Sequence, residues 1–199
     1  MSYGIEHLFV SKIYHTNVSD YQVINKQIEK RIDEVDFQYM SKWGKTHLLS
    51  DFGKDVIKEK RFDLLSKVID NHLENYCSEL NFKKIKYNRT SWITKITPGD
   101  HAHTHSHGDA DVAGVYYYKT NEKDGYLYFQ TPNPHLNSSL CYADQGQRWR
   151  HFPEEGKMLL FPGWLNHGVT TNETEDTRMS IAFNIKFHHD TLFTGTAMK

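Results

Sequence analysis

Two hydrophobic periods divide the chain. In residues 20 to 38, "DYQVINKQIEKRIDEVDFQ", Ile24, Ile28, Ile32 and Val35 recur every three or four positions, which lines one face of an α-helix. Ser19, followed three residues later by Gln22, reads as a capping box at its start. A second helix is predicted within residues 61 to 80, where Phe62, Leu65, Ile69, Leu73 and Tyr76 repeat the stripe. The intervening "SKWGKTHLLSDFGKD" carries no period and reads as irregular.

From about residue 82 the period falls to two, and turn residues become frequent in "PGD", "EKDG", "TPNP" and "PEEG". Strands are expected near 84–97, 102–107, 113–119, 125–131, 157–161, 167–171 and 178–187. Helices followed by short antiparallel strands predict an α+β fold, a barrel or sandwich with the helices packed on one outer face. A single domain spanning 1–199 is expected, with helical support over about 20–80 and a β core over about 82–187.

The last strand shows what the core encloses. In "RMSIAFNIKF" Met179, Ile181, Phe183 and Ile185 share one face, while Arg178, Ser180, Ala182 and Asn184 share the other. The first face is to be buried under the helices. The second, small and polar and led by an arginine, is expected to line a cavity.

The stretch "HAHTHSHGDADVAGVYYY" places His101, His103, His105 and His107 at alternate positions before an apolar run. Histidines two apart on a strand share a face, but they converge on one metal only where the strand ends or bends, and "GDAD" marks such an end. That favours His105 and His107, with His101 and His103 given no ligand role. A rival pair, His107 and Asp109, stays open, although it leaves only "ADVA" before "GVYYY". A further ligand must come from elsewhere, and "FPGWLNHGVTT" offers His167, with Arg178 eleven residues beyond it.

Composition narrows the classes. Hydrophobic residues make up 38% of the 199 residues and aromatic ones 14%, enough for one sizeable core. The mean hydropathy is −0.71, no apolar run reaches the ~18 residues of a membrane span, and the start lacks a signal-peptide pattern. A cytoplasmic location is the expectation. A formal charge of −1 gives no general reason to bind nucleic acid, and "KKIKYNR" reads as a solvated strand face. Cys77 and Cys141 form no motif, which suits a reducing compartment.

Taken in order, "SWITKITPGD", "HSH", "AGVYYY", "GYLYF", "TP", "FPEEGKMLLFPGWLNHGV" and "RMSIAFN" resemble the motifs of Fe(II)- and 2-oxoglutarate-dependent oxygenases of the double-stranded β-helix (jelly-roll, cupin-like) class. "LFVSKIY" is similar to that group's opening strand. The resemblance implies a phage-associated group, with His105, His107 and His167 on iron and Arg178 on the distal carboxylate of 2-oxoglutarate. It also implies a cosubstrate role for Ser180 and, more weakly, Tyr117. The chain departs from the pattern at Thr94, where relatives often carry Asn, and at Ala113, where they carry Ser. Trp92 and Trp164 read as core aromatics.

The implied reaction is oxidative decarboxylation of 2-oxoglutarate by dioxygen, coupled to oxidation, commonly hydroxylation, of a peptidyl side chain or small molecule. Three histidines in place of two and a carboxylate leave the iron one unit more positive, to be balanced by the dianionic cosubstrate. Two rivals come from other classes. One is a cupin-like metal protein without 2-oxoglutarate chemistry; the other is a noncatalytic structural or interaction domain.

Overall fold

The computed structural model describes residues 4, 10–41, 44–83, 86–133, 135 and 148–188. The first half holds β1 (Tyr14–Asn17), α1 (Tyr21–Glu29), a 3-10 turn (Ile32–Glu34), β2 (Gln38–Tyr39), β3 (Leu48–Leu49), α2 (Val56–Glu59) and α3 (Asp63–Glu79). The second half is all strand: β4 (Tyr87–Ile96), β5 (Ala102–His105), β6 (Val112–Lys119), β7 (Leu127–Gln130), β8 (Arg148–His151), β9 (Lys157–Pro162), β10 (His167–Val169) and β11 (Arg178–Phe187).

The strands form two antiparallel sheets. The larger has the order β1-β9-β6-β11-β4-β3-β2 and the smaller β5-β10-β7-β8. From β4 to β11 the chain passes repeatedly from one sheet to the other, which is the expected double-stranded β-helix. Each sheet has one inner face, and the two inner faces meet. Ala113, Val115, Tyr117, Leu159 and Phe161 of the larger sheet pack there with Leu127 and Phe129 of the smaller.

The helices cover the outer face of the larger sheet, as the alternation in the last strand predicts. Ile181, Phe183 and Ile185 lie in one core cluster with Ile24 and Ile28 of α1 and Leu65, Ile69 and Leu73 of α3. Leu65, Ile69 and Leu73 are fully buried, each worth about 1.5–3 kcal/mol relative to exposure. That load makes the larger sheet a rigid floor for the site.

The first helix is shorter than its stripe. It ends at Glu29, and Arg31 leaves the helical region (φ −133°, ψ −1°) before a 3-10 turn begins at Ile32. Ile32 and Val35 still pack on the core, but from that turn and the segment after it. The Ser19–Gln22 capping box does not form. Asp20 takes the N-cap position in a left-handed conformation (φ 56°) with no side-chain cap, because the chain reverses there after Val18 N–H has bonded the Gly156 carbonyl (2.9 Å).

The segment read as irregular contains β3 and ends at Asp55, which caps α2 by accepting from Lys58 N–H (3.4 Å). Asp55 also pairs with Arg89 (3.1 Å), so the one arginine of "KKIKYNR" is engaged and nearly buried. Lys84 and Ile85 of that patch, Cys141, and Leu8 and Phe9 of "LFVSKIY" lie outside the described residues; of the rest of "LFVSKIY" only Tyr14 is in a strand, as the first residue of β1. Cys77 is buried in the helix-covered core.

Candidate metal centre and cosubstrate pocket

β5 ends at His105, two residues short of the predicted boundary, and this early end brings the histidines together. His105 pairs directly with His167 at the start of β10. His107, now off the strand, is tied by its N–H to the Gly163 carbonyl (2.7 Å) in the turn before β10. The imidazole centroids of His105, His107 and His167 lie 4.5 to 5.1 Å apart. One nitrogen from each ring falls within 4.8 Å of the others.

Hydrogen bonds set the rings. His167 Nδ1–H donates to the Leu165 carbonyl (2.8 Å) and His105 Nδ1–H to the His103 carbonyl (2.7 Å). In each ring the Nε2 lone pair is then the one presented to a metal. The Nε2 atoms of His107 and His167 face each other at 3.2 Å. Trp92 stacks on His107 (5.7 Å, 20°), and Phe161 packs edge-on against His167 (4.7 Å).

Burial drives all three rings towards the neutral, metal-binding form. Desolvation lowers the pKa of His105; it lowers His107 to about 4 and His167 to about 3, with the neighbouring histidines adding repulsion. Asn184 acts the other way on His107, favouring its charged form. Its buried Oδ1 has no hydrogen-bond partner among the described residues.

The same cavity, about 230 Å³, runs from the histidines to Arg178, Ser180 and Tyr117. Arg178 is 2% exposed, and its Nη1–H donates to the Gly125 carbonyl (2.9 Å). Its guanidinium lies over the Tyr117 ring at 5.1 Å. Among the described residues no carboxylate pairs with it. Tyr117 is fully buried, and desolvation raises its pKa although Arg178 pulls the other way. Ser180 and Thr94 face each other across β11 and β4 and both line the cavity.

Three buried side-chain polar atoms lack a hydrogen-bond partner among the described residues: Tyr117 OH, Arg178 Nε and Asn184 Oδ1. All three belong to residues lining this one cavity. Orphaned buried polar groups are costly and rare. Their concentration here fits a ligand that is anionic at one end and metal-bound at the other. The donor set fits iron(II), which accepts imidazole nitrogen.

The remaining sequence candidates separate clearly. Asp109 is exposed in the turn after His107 and is not among the grouped ligands. His103 is exposed and contributes only its carbonyl; His101 stacks on it edge-to-face (4.7 Å). Trp92 lines the cavity rather than a dry core, whereas Trp164 is 54% exposed. The sequence assigns no role to two of the cavity residues. Asn184 was signalled only by its place on the small, polar face of the last strand. His47 had no signal, since it precedes a two-residue strand; it is buried, and its Nδ1–H donates to the His101 carbonyl (3.0 Å).

Residues 90–184, a little under half of the chain, match the family profile described as "Putative 2OG-Fe(II) oxygenase". No curated protein matches the sequence. Solved structures share the fold over nearly the whole chain. A Pseudomonas putida prolyl-4-hydroxylase superposes with a TM-score of 0.60 at 13% identity, covering 91% of this chain and 95% of its own. HygX from Streptomyces hygroscopicus, with nickel and 2-oxoglutarate bound, gives 0.62 at 14% identity, covering 92% and 85%. A 2OG-Fe(II) oxygenase family oxidoreductase from Burkholderia pseudomallei gives 0.56 at 10%, covering 86% and 92%. The profile match falls on the strands that build the cavity, so residues 90–184 resemble the 2OG-Fe(II) oxygenases, and the whole chain shares the fold of these solved structures.

Proposed function

We propose that the chain is a hydroxylase in which His105, His107 and His167 hold iron(II) and Arg178, with Tyr117 and Ser180, seats the distal carboxylate of 2-oxoglutarate. The observation that carries this reading is the gathering of every partnerless buried polar side-chain atom among the described residues into the cavity that the three histidines close. A guanidinium offers a planar fork matched to a carboxylate. It binds one end of a dianion while the neutral imidazoles leave the opposite end for the metal. When bound, iron and cosubstrate supply the oxidising chemistry: dioxygen converts 2-oxoglutarate to succinate and carbon dioxide, and its second oxygen atom goes to a substrate C–H bond.

The protein's part is orientation and exclusion of water. Nδ1–H bonds to Leu165 and His103 hold two rings, and Trp92 stacks on the third with Asn184 beside it. Leu49, Phe52 and Trp92 give the cavity an apolar wall, so the group to be oxidised is an uncharged carbon, on a peptidyl side chain or a small molecule. A cupin-like metal protein has no use for a buried, acid-free arginine ahead of the metal.

Anaerobic titration with Fe(II) and then 2-oxoglutarate tests the assignment. A visible metal-to-ligand charge-transfer band is expected in the wild type and absent in His167→Ala, while Asp109→Ala keeps it. Oxygen should then release succinate. A full band in His167→Ala would remove the ligand set, and no band in the intact protein would remove the oxygenase chemistry.

A further inference from the structure

Asp124 is fully buried, and it is the only carboxylate that is so among the described residues. It has no direct contact with a ligand position. Its oxygens accept from the Thr120 hydroxyl (2.6 Å) and the Asn121 N–H (2.9 Å), folding residues 120 to 125 into a tight turn between β6 and β7. Gly125 follows immediately with φ +91°, and any Cβ there would meet the Thr170 carbonyl oxygen at 2.5 Å. The turn is therefore pressed against the strand leading out of His167 and has little room to shift.

What the turn delivers is one oxygen. The Gly125 carbonyl accepts Arg178 Nη1–H at 2.9 Å, and among the described residues no acid fixes the guanidinium from another side. The direction of the fork then depends on where that carbonyl sits, and the carbonyl depends on the neighbouring carboxylate. With Nη1 engaged, the buried Nε of this cavity-lining residue is without a partner among the described residues.

We infer that Asp124 is a positioning residue for cosubstrate choice: through the Gly125 carbonyl it aligns Arg178 so that the pocket selects a 2-oxo dicarboxylate over the matching monocarboxylate. This rests on the reading that Arg178 seats the distal carboxylate. Asp124 acts by geometry and not by charge. An acid's field alone would oppose a second carboxylate, so geometry and charge predict opposite signs for its removal.

The test compares 2-oxoglutarate with 2-oxopentanoate, in which a methyl replaces the distal carboxylate, using the charge-transfer band of the full-length Fe(II) protein without oxygen. Asp124→Asn removes the charge but keeps both bonds, because the new amide can donate to the Thr120 hydroxyl oxygen and still accept from Asn121 N–H. It should bind both ligands as the wild type does. Asp124→Ala removes both bonds, and its 2-oxoglutarate affinity should fall about tenfold, the loss expected from one misaligned charge-assisted hydrogen bond. Its 2-oxopentanoate affinity should hold. Should Asp124→Ala not fold, Thr120→Val strips one donor from the same carboxylate and must reduce the discrimination in the same direction.

Wild-type behaviour of Asp124→Ala would overturn the inference. So would equal loss of both ligands, or tighter 2-oxoglutarate binding in both Asp124 variants, which would mark a charge effect. Arg178→Met separates the underlying reading. If that variant still prefers 2-oxoglutarate, the anchor assignment itself fails.

Discussion

Replacing Arg178 with methionine should make the metal-free protein more stable while removing its response to 2-oxoglutarate. The guanidinium is 2% exposed, with one hydrogen bond to a carbonyl and one aromatic face at 5.1 Å. Desolvating such a charge costs several kcal/mol. Against this stand about 1.5–3 kcal/mol for the charged hydrogen bond and up to about 2 kcal/mol for the ring contact. Asp124 does not close the gap, since its oxygens are taken by Thr120 and Asn121. Methionine has similar length and no charge, and apolar replacement of buried ionic groups is often stabilising by about 1–4 kcal/mol. Allowing for the Gly125 carbonyl left unpaired, the expected gain is about 1–3 kcal/mol, or about 2–10 °C in thermal midpoint for a chain of this size. Differential scanning calorimetry without ligands, and then with Fe(II) and 2-oxoglutarate under nitrogen, checks both halves. A variant destabilised by more than about 2 kcal/mol, or one still stabilised by 2-oxoglutarate, would refute the reasoning.

Three further outcomes are expected. Asn184→Ala should weaken iron binding about 10–100-fold, as loss of groups orienting a ligand ring does, with calorimetric titration as the measure. The metal-free protein should lose stability on acidification: His107 and His167 sit near 4 and 3 when folded, below the usual 6.5, so the unfolded chain binds more protons between those values. Their contribution is complete above pH 6.5 and declines as pH falls towards 4 and 3, so the thermal midpoint must drop between about pH 7.5 and about pH 5; a flat profile would contradict the burial argument. Gly114→Ala places a Cβ 2.3 Å from Phe183 Cζ and 2.9 Å from Leu160 Cδ2, and should cost about 1–3 kcal/mol by overpacking. Adding Phe183→Leu should recover part of it, as read by urea denaturation.

The long elements were legible because burial imposed a clean period on them. The stripe from Phe62 to Tyr76 and the alternation from Arg178 to Phe187 both appear where read, and the second even separated the helix-facing residues from the cavity-facing ones. Short elements carry no such signature. β2 and β3 have two residues each, and β8, "RWRH", sits at the sheet edge with three of its four residues exposed, so no alternation develops. The overlong first helix shows the opposite error, in which Ile32 and Val35 keep the apolar spacing although the backbone has left the helix. For the site, turn chemistry in "GDAD" favoured the pair His105 and His107, although the strand stops at His105 and not after His107. Asn184, Asp124 and His47 had no such signal, because an amide, an acid or a lone imidazole gains its meaning from neighbours far along the chain.

The pairing of Thr46 and His47 with His101 reaches beyond the site. His101 N–H bonds the Thr46 carbonyl and the His47 ring bonds back to His101, each at 3.0 Å, which stitches the β5 border of the small sheet to the β3 border of the large one. The profile match covers residues 90–184, yet one side of this seam, Thr46 and His47 with β3, comes from the portion before it. A fragment trimmed to the signature would keep every proposed ligand and lose the hem that keeps the sleeve closed, so transplanting or shortening this protein must carry the first half of the chain along.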